Sequence, residues 1–188
     1  MRVTLDRLPD HEWAHVLIER DDHVVYRMHA GPVTDDLPHD LVHYAVEDAL
    51  GMADGIWGAI AGGVVFRSMT HISGRRPPHA AERSAALIRQ YRDQIQRAEL
   101  IGGFVESAAH QPDADLARLA AQSFKGRTSE MPNLEALAGA VTAVRRAESE
   151  WRQLPIGGQR VLEWPAHRRI ALAAGPRARE KAIARRRR

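Results

Sequence analysis

Apolar and polar residues alternate along the first thirty positions of the chain, and this two-residue period is typical of β-strands with one buried face. Residues 3–5, 12–19 and 23–30 follow the period. The polar run at residues 20–22 separates the second and third segments and favours a tight turn, so we expect a β-hairpin there. The fold is therefore predicted to begin with an antiparallel sheet.

The apolar period lengthens to that of a helix after residue 36, which indicates a short amphipathic helix. Asp36 or a neighbouring residue can cap this helix, Pro38 fits its first turn, and Gly51 is a good stop. Its apolar face consists of Leu41, Val42, Ala45, Val46 and Ala49.

Glycine and alanine recur among larger apolar side chains in residues 55–66. The segment lacks the G-x-G-x-x-G and G-K-S/T arrangements that cradle phosphate. Small residues most often let the backbone approach a neighbouring element closely, so we expect this segment to pack in the core.

Helical periodicity dominates after the breaker Ser-Gly-Arg-Arg-Pro-Pro at residues 73–78. Residues 88–109 carry apolar positions at alternating spacings of three and four, which predicts one long helix. Gly102-Gly103 lowers helix stability by about 1 kcal/mol per glycine, so we expect a bend or break there. Two more helices are predicted over residues 113–124 and 133–154.

These elements together predict an α+β fold, with an N-terminal antiparallel β-hairpin or meander packed on a short His-bearing helix and a C-terminal helical hairpin or bundle. Residues 63–69 and 159–164 are candidates for strands that complete the sheet. We expect three regions: the hairpin and His-bearing helix at residues 1–75, the helical region at residues 76–176, and a disordered basic tail at residues 177–188.

Charge is distributed unevenly along the 188 residues. Residues 160–188 hold 10 of the 27 Lys and Arg residues but only Glu163 and Glu180 among the acids, so the rest of the chain is acidic. The basic tail has no interleaved aromatic residues, and no helix-turn-helix pattern precedes it. We therefore expect at most weak, nonspecific contact between the tail and nucleic acid.

The chain has no cysteine, which excludes disulfides, iron–sulfur clusters and cysteine-based zinc sites. It also has no G-x-S-x-G elbow, so a covalent hydrolase is not expected. Its apolar runs are too short for a signal peptide or a membrane span, and we expect a cytoplasmic protein without a membrane partner. Any metal ion must be bound by histidines and carboxylates.

His39 and His43 lie one helical turn apart in the motif H-D-x-x-H, a spacing that lets two imidazoles bind one metal ion, as in the H-E-x-x-H helix of zinc hydrolases. Glu47 continues this row but lies about 12 Å from His39 along the helix axis, too far for all three to converge easily on one ion. We expect a divalent metal, zinc first, bound by the two histidines and an additional ligand. Candidates for that ligand are His29, His71, His15, Glu47 or a later glutamate.

Asp40 occupies the position of the general base in the zinc-hydrolase helix. Asp is one methylene shorter than Glu, which puts direct contact with an activated water in doubt and argues against a peptidase. Asp40 could instead orient an imidazole by accepting its hydrogen bond. A simpler interpretation of the row is that histidines at the edge of an apolar stripe hydrogen-bond to acids near a helix N-terminus.

The sequence L-P-H-D-L-x-H at residues 37–43, followed by Glu47 and by G-x-W-G at residues 55–58, resembles a group of uncharacterised bacterial proteins. The resemblance covers only this short stretch. It implies no activity and transfers no catalytic residue.

Two hypotheses follow for function. The first is a cytoplasmic bacterial protein that binds a divalent metal or a small ligand through the His39 helix, with zincin-like hydrolysis as its catalytic version. The second is a non-enzymatic accessory or regulatory protein, with a helical partner surface that could form a homodimer and a basic tail that contacts nucleic acid.

Overall fold

The computed structural model describes residues 1–8, 15–29 and 37–172. The described strands pair antiparallel in one sheet, which confirms the predicted N-terminal sheet. The strands are β1 (Arg2–Asp6), β2 (His15–Glu19), β3 (Val25–His29), β4 (Met69–Ser73) and β5 (Gln159–Glu163). Their order across the sheet is β4-β3-β2-β1-β5.

The hairpin of β2 and β3 forms as the alternation predicts. Ile18 pairs with Tyr26 in its register, and both side chains are buried. His23 adopts a φ of 60° in the turn, so β3 begins two residues after it. Residues 12–14 and 30 of the predicted strands lie outside the described residues.

β5 confirms the returning strand predicted for residues 159–164, since it pairs with β1 at the edge of the sheet. The prediction of a strand at residues 63–69 is wrong. Gly63, with a φ of 110°, ends the preceding helix, and the Phe66 carbonyl then accepts a hydrogen bond from the Met69 N–H in a turn. The sheet is therefore rejoined only from Met69 onward, as β4.

Two helices follow β3, namely α1 (His39–Ala49) and α2 (Ile56–Gly62). Pro38 lies at the N-cap of α1 rather than in its first turn, and no described side chain caps the helix. Asp36 lies outside the described residues. Gly51 adopts a φ of 64° beyond the end of α1, as predicted for a stop. The central residues of α2 are buried, which confirms that this segment packs in the core.

The predicted long helix is two helices, because the chain changes direction at Tyr91. The Tyr91 hydroxyl donates to the Ala171 carbonyl at 2.9 Å. The break expected at Gly102-Gly103 is wrong, since packing against α1 outweighs the low helix propensity of glycine. The helices after β4 are α3 (Ala80–Gln90), α4 (Arg92–Ala109), α5 (Leu116–Ser123) and α6 (Leu134–Gln153).

Side-chain caps set the start of the last two helices. Asp115 accepts hydrogen bonds from the backbone N–H groups of Ala117 and Arg118, so α5 begins three residues later than predicted. Asn133 accepts from Ala136 N–H and starts α6 where the sequence predicts it.

One hydrophobic cluster joins the buried face of the sheet to α1, α4 and α6. Its fully buried side chains include Trp57, Trp151 and Trp164. The α+β class is confirmed, with α1 in contact with both α4 and α6. None of the helices in the described ranges has the length and apolar character needed to cross a membrane. The predicted tail at residues 177–188 lies outside those ranges, and its contact with nucleic acid and the homodimer both stay predictions.

Candidate metal site

The first turns of α1 present two imidazoles to each other. The Nε2 atoms of His39 and His43 lie 3.0 Å apart, and the two rings are nearly perpendicular at 88°. Because the residues are separated by one helical turn, the rings lie on the same side of α1, as the H-D-x-x-H spacing predicts.

Glu99 of α4 completes a group of three donors. Its Oε2 lies 3.2 Å from His43 Nε2, and one ligand atom from each of His39, His43 and Glu99 lies within 4.8 Å of the other two. Ligand atoms around a tetrahedral zinc ion, at bond lengths of about 2.0–2.1 Å, lie about 3.3 Å from one another. The two short separations in this group are close to that value.

The group lies at the protein surface with one buried member. The side chain of His43 is 2% exposed, whereas those of His39 and Glu99 are 59% and 56% exposed. Solvent or a ligand can therefore reach the group from the side of His39 and Glu99.

Gly102 determines where the His43 ring can lie. A Cβ atom placed on Gly102 would be 2.5 Å from Cε1 and 2.6 Å from Nδ1 of His43. Atoms at that distance overlap, so the imidazole packs against the α4 backbone only because this position is glycine. The packing holds His43 with its Nε2 toward Glu99.

Glu106, one turn beyond Gly102 on α4, lies beside the other imidazole. Its Oε2 is 3.6 Å from His39 Nδ1, a distance suited to charge attraction rather than to a short hydrogen bond. A proton on Nδ1 is favoured there, which leaves the Nε2 lone pair of His39 directed at His43. Carboxylates next to metal-binding histidines commonly play this orienting role.

His43 receives no comparable polar support at its other nitrogen. Its Nδ1 is buried and has no hydrogen-bond partner within the described part of the chain. On its Nδ1 side, this ring is therefore held by steric contact with Gly102 rather than by a hydrogen bond.

Two carboxyl groups near the histidines have shifted acidities. The hydrogen bond with His43 is the largest influence on Glu99 and lowers its pKa, so Glu99 is held as a carboxylate. Burial raises the pKa of Asp40, although the nearby His39 and His43 oppose that shift. Asp40 therefore feels the charges of the site but is not one of the three grouped donors.

Glu47, predicted as a metal ligand, is not part of the group. Its Oε1 accepts a hydrogen bond from Ile56 N–H at 2.7 Å, and its Oε2 accepts one from Trp57 N–H at 3.0 Å. Both oxygens are thus committed to the N-terminus of α2, and the side chain is fully buried. Gly55 gives it space, because a Cβ there would lie 2.5 Å from the Glu47 carboxyl carbon.

Among the described side chains, the histidines predicted as outside ligands are also not part of the group. His71 Nε2 lies 2.9 Å from the Gly74 carbonyl oxygen, and its ring contacts Tyr26 edge-on. His15 and His29 are paired across β2 and β3, and the side chain of His29 lies outside the description. The third donor is instead Glu99, which belongs to the predicted class of later glutamates.

The sequence contains one signal that points to Glu99. Glu99, Gly102 and Glu106 are spaced by three and four residues, so they share one face of α4. That spacing matches the His39 and His43 pair on a helix running the opposite way. The signal becomes specific only when α4 is known to pack against α1.

Comparisons of this chain with known protein families, curated proteins and solved structures find no match. The functional assignment therefore depends on the geometry of the site.

Proposed function

We propose that this protein binds a divalent metal ion through His39, His43 and Glu99, and that zinc is the ion best suited to it. The supporting observation is that the three donors lie within 4.8 Å of one another, and that two of their separations, 3.0 Å and 3.2 Å, are close to those around a tetrahedral zinc ion. Two imidazoles and one carboxylate form a common zinc-binding set. Magnesium and calcium prefer sites made entirely of oxygen ligands.

The competing interpretation is a hydrogen-bonded cluster without a metal ion. Lone pairs on two facing Nε2 atoms repel unless a proton or a cation lies between them. A proton on His43 Nε2 could be shared between His39 and Glu99. A metal ion would satisfy all three donors at once, so a direct binding measurement separates the interpretations.

The test uses the full chain without a histidine tag and compares His39→Asn with His110→Asn. The two positions are closely matched: His39 is 59% exposed beside Glu106, and His110 is 58% exposed beside Glu148. We expect one equivalent of zinc by calorimetry in the wild type and in His110→Asn. Loss of one ligand in His39→Asn, or in Glu99→Gln, should weaken binding by roughly a hundredfold.

The proposal fails if the protein takes up less than about a tenth of an equivalent of zinc, iron, nickel or manganese. It also fails if His39→Asn and His110→Asn bind zinc equally, because the ion would then bind elsewhere.

Hydrolysis is an extension of this proposal, favoured by the exposed side of the site. Three protein ligands with an open position are typical of catalytic rather than structural zinc. A bound zinc ion would supply Lewis acidity there. Asp40 is the residue we propose for proton transfer, since it follows His39 in the H-D-x-x-H motif, at the position of the general base in the zinc-hydrolase helix.

An activity assay with a simple ester, p-nitrophenyl acetate, tests the extension. Asp40→Asn should retain zinc but lose most of the zinc-dependent rate, whereas Glu99→Gln should lose both. Equal rates in the wild type and in Asp40→Asn would rule out the role of Asp40 and leave metal binding unaffected.

A further inference from the structure

Three arginines from distant parts of the chain line one small cavity. Arg20 follows β2, Arg83 lies in α3, and Arg169 follows β5, and together with neighbouring residues they line a cavity of about 150 Å³. Pockets for drug-sized ligands begin at about 300 Å³, so this cavity is suited to a single small group.

Arg20 is the buried member of the three, with 5% of its surface exposed. Its Nε and Nη2 atoms donate to the two carboxylate oxygens of Asp22, and its guanidinium lies over the Tyr26 ring at 5.1 Å. The remaining nitrogen, Nη1, is buried without a hydrogen-bond partner among the described residues. It lies near Gly63, which also lines the cavity.

An unpaired Arg20 Nη1 needs an acceptor. Arginine keeps its proton under all ordinary conditions, so the group cannot relieve its burial by becoming neutral. Leaving a buried donor unsatisfied is costly, and a charged one more so. The described part of the chain supplies no acceptor.

The N-terminus of α3 borders the same cavity. His79 is its N-cap and makes no side-chain capping bond, and the first intrahelical bond runs from Arg83 N–H to the His79 carbonyl. The N–H groups of residues 80–82 therefore have no partner within the helix, and Ala80 lines the cavity. The helix dipole favours an anion at this end.

The charges around the cavity leave an excess of positive charge. Asp22 is paired with Arg20, and Asp21 lies 4.0 Å from Arg169 Nη1. The Arg83 guanidinium forms no ion pair with any residue in the described ranges. Glu82, the acid in the first turn of α3, does not line the cavity.

We infer that this cavity binds a small tetrahedral oxyanion. Phosphate geometry matches arginine donors and helix N–H groups, and the volume admits one such group but not a nucleotide. Free inorganic phosphate and the phosphate group of a small phosphomonoester share this chemistry. The site is built from residues other than the proposed metal ligands, so it stands or falls independently of the metal proposal.

Calorimetric titration of the full chain with inorganic phosphate, in a low-chloride buffer, tests the inference. Arg83→Gln is compared with Arg89→Gln, because Arg89 is an exposed arginine in the last turn of the same helix and does not line the cavity. Arg83→Gln should bind phosphate about tenfold more weakly than the wild type, since it loses a charge-assisted contact. Arg89→Gln should bind as the wild type does.

Further measurements distinguish free phosphate from a phosphomonoester and show whether each variant is folded. Arg169→Gln, another exposed position, should also weaken binding, and circular dichroism should show all variants folded. Binding of phosphate but not of glycerol phosphate identifies a site for the free anion, and binding of both supports a phosphomonoester. Absence of binding at millimolar phosphate, or equal affinity in Arg83→Gln and Arg89→Gln, overturns the inference, as does loss of phosphate binding in His39→Asn.

Discussion

At the scale of single residues, the candidate metal site depends on the space left by one glycine. Gly102 and Gly103 are adjacent in α4, but their surroundings differ. A Cβ on Gly102 would overlap the His43 ring, whereas a Cβ on Gly103 would meet nothing within 4 Å. Replacing Gly102 by alanine should therefore disturb the site, whereas the same replacement at Gly103 should not, so the second variant is a matched control for the first.

We predict opposite effects for alanine at these two positions. Gly102→Ala must displace His43 from the α4 backbone, and we expect it to lower the free energy of unfolding by about 1–3 kcal/mol and to weaken zinc binding. Gly103→Ala should raise it by about 0.5–1 kcal/mol, since alanine favours the helix. Urea denaturation in the presence of a chelator measures the free energy of unfolding of each variant, and zinc titration measures its affinity for the ion. Unchanged zinc affinity in Gly102→Ala would contradict the positioning role.

At the scale of elements, Glu47 links α1 to α2 by accepting hydrogen bonds from the first N–H groups of α2. Burial raises the pKa of Glu47 to about 7, although those hydrogen bonds oppose the shift. In the folded protein Glu47 therefore keeps its proton up to about pH 7, whereas in the unfolded chain it releases the proton at about pH 4.5. The connection between the two helices should thus weaken as pH rises through this interval.

Glu47→Gln tests this pH dependence, because glutamine stays neutral at every pH. We predict that the wild type loses stability relative to Glu47→Gln between about pH 4.5 and pH 7, by roughly 3 kcal/mol in total, with a constant difference above that interval. Urea denaturation at several pH values measures the difference, in which other titrating groups cancel. A difference that does not vary with pH would show that the Glu47 pKa is not raised.

Elements were predictable from the sequence where their causes are local. α6 begins at its Asn133 cap, and the turn at His23 joins two alternating segments. The three residues of the candidate metal site were only partly predictable for the same reason. His39 and His43 are neighbours on one helix, whereas Glu99 joins them only through the packing of α4 on α1. The contacts of Glu47 were not predictable from the sequence, because the N–H groups of Ile56 and Trp57 become available as hydrogen-bond donors to it only once α2 has folded.

At the scale of the whole molecule, the proposed ion would connect elements that are far apart in sequence. α1 lies against both α4 and α6, and the buried cluster extends from these helices to the sheet. An ion bound by two residues of α1 and one of α4 would favour only the folded arrangement. Metal binding should therefore stabilise the entire fold rather than a single loop.

We accordingly predict that zinc raises the stability of the wild type, by about 2.7 kcal/mol when free zinc is a hundred times the dissociation constant. Glu99→Gln breaks the connection to α4 and should abolish most of this gain, while His110→Asn should keep it. Magnesium should have little effect, because it prefers oxygen ligands. Thermal denaturation with zinc, magnesium or a chelator measures all three effects. An equal zinc shift in Glu99→Gln would mean that the ion binds without joining the two helices, because its stabilising effect would then not require the α4 carboxylate.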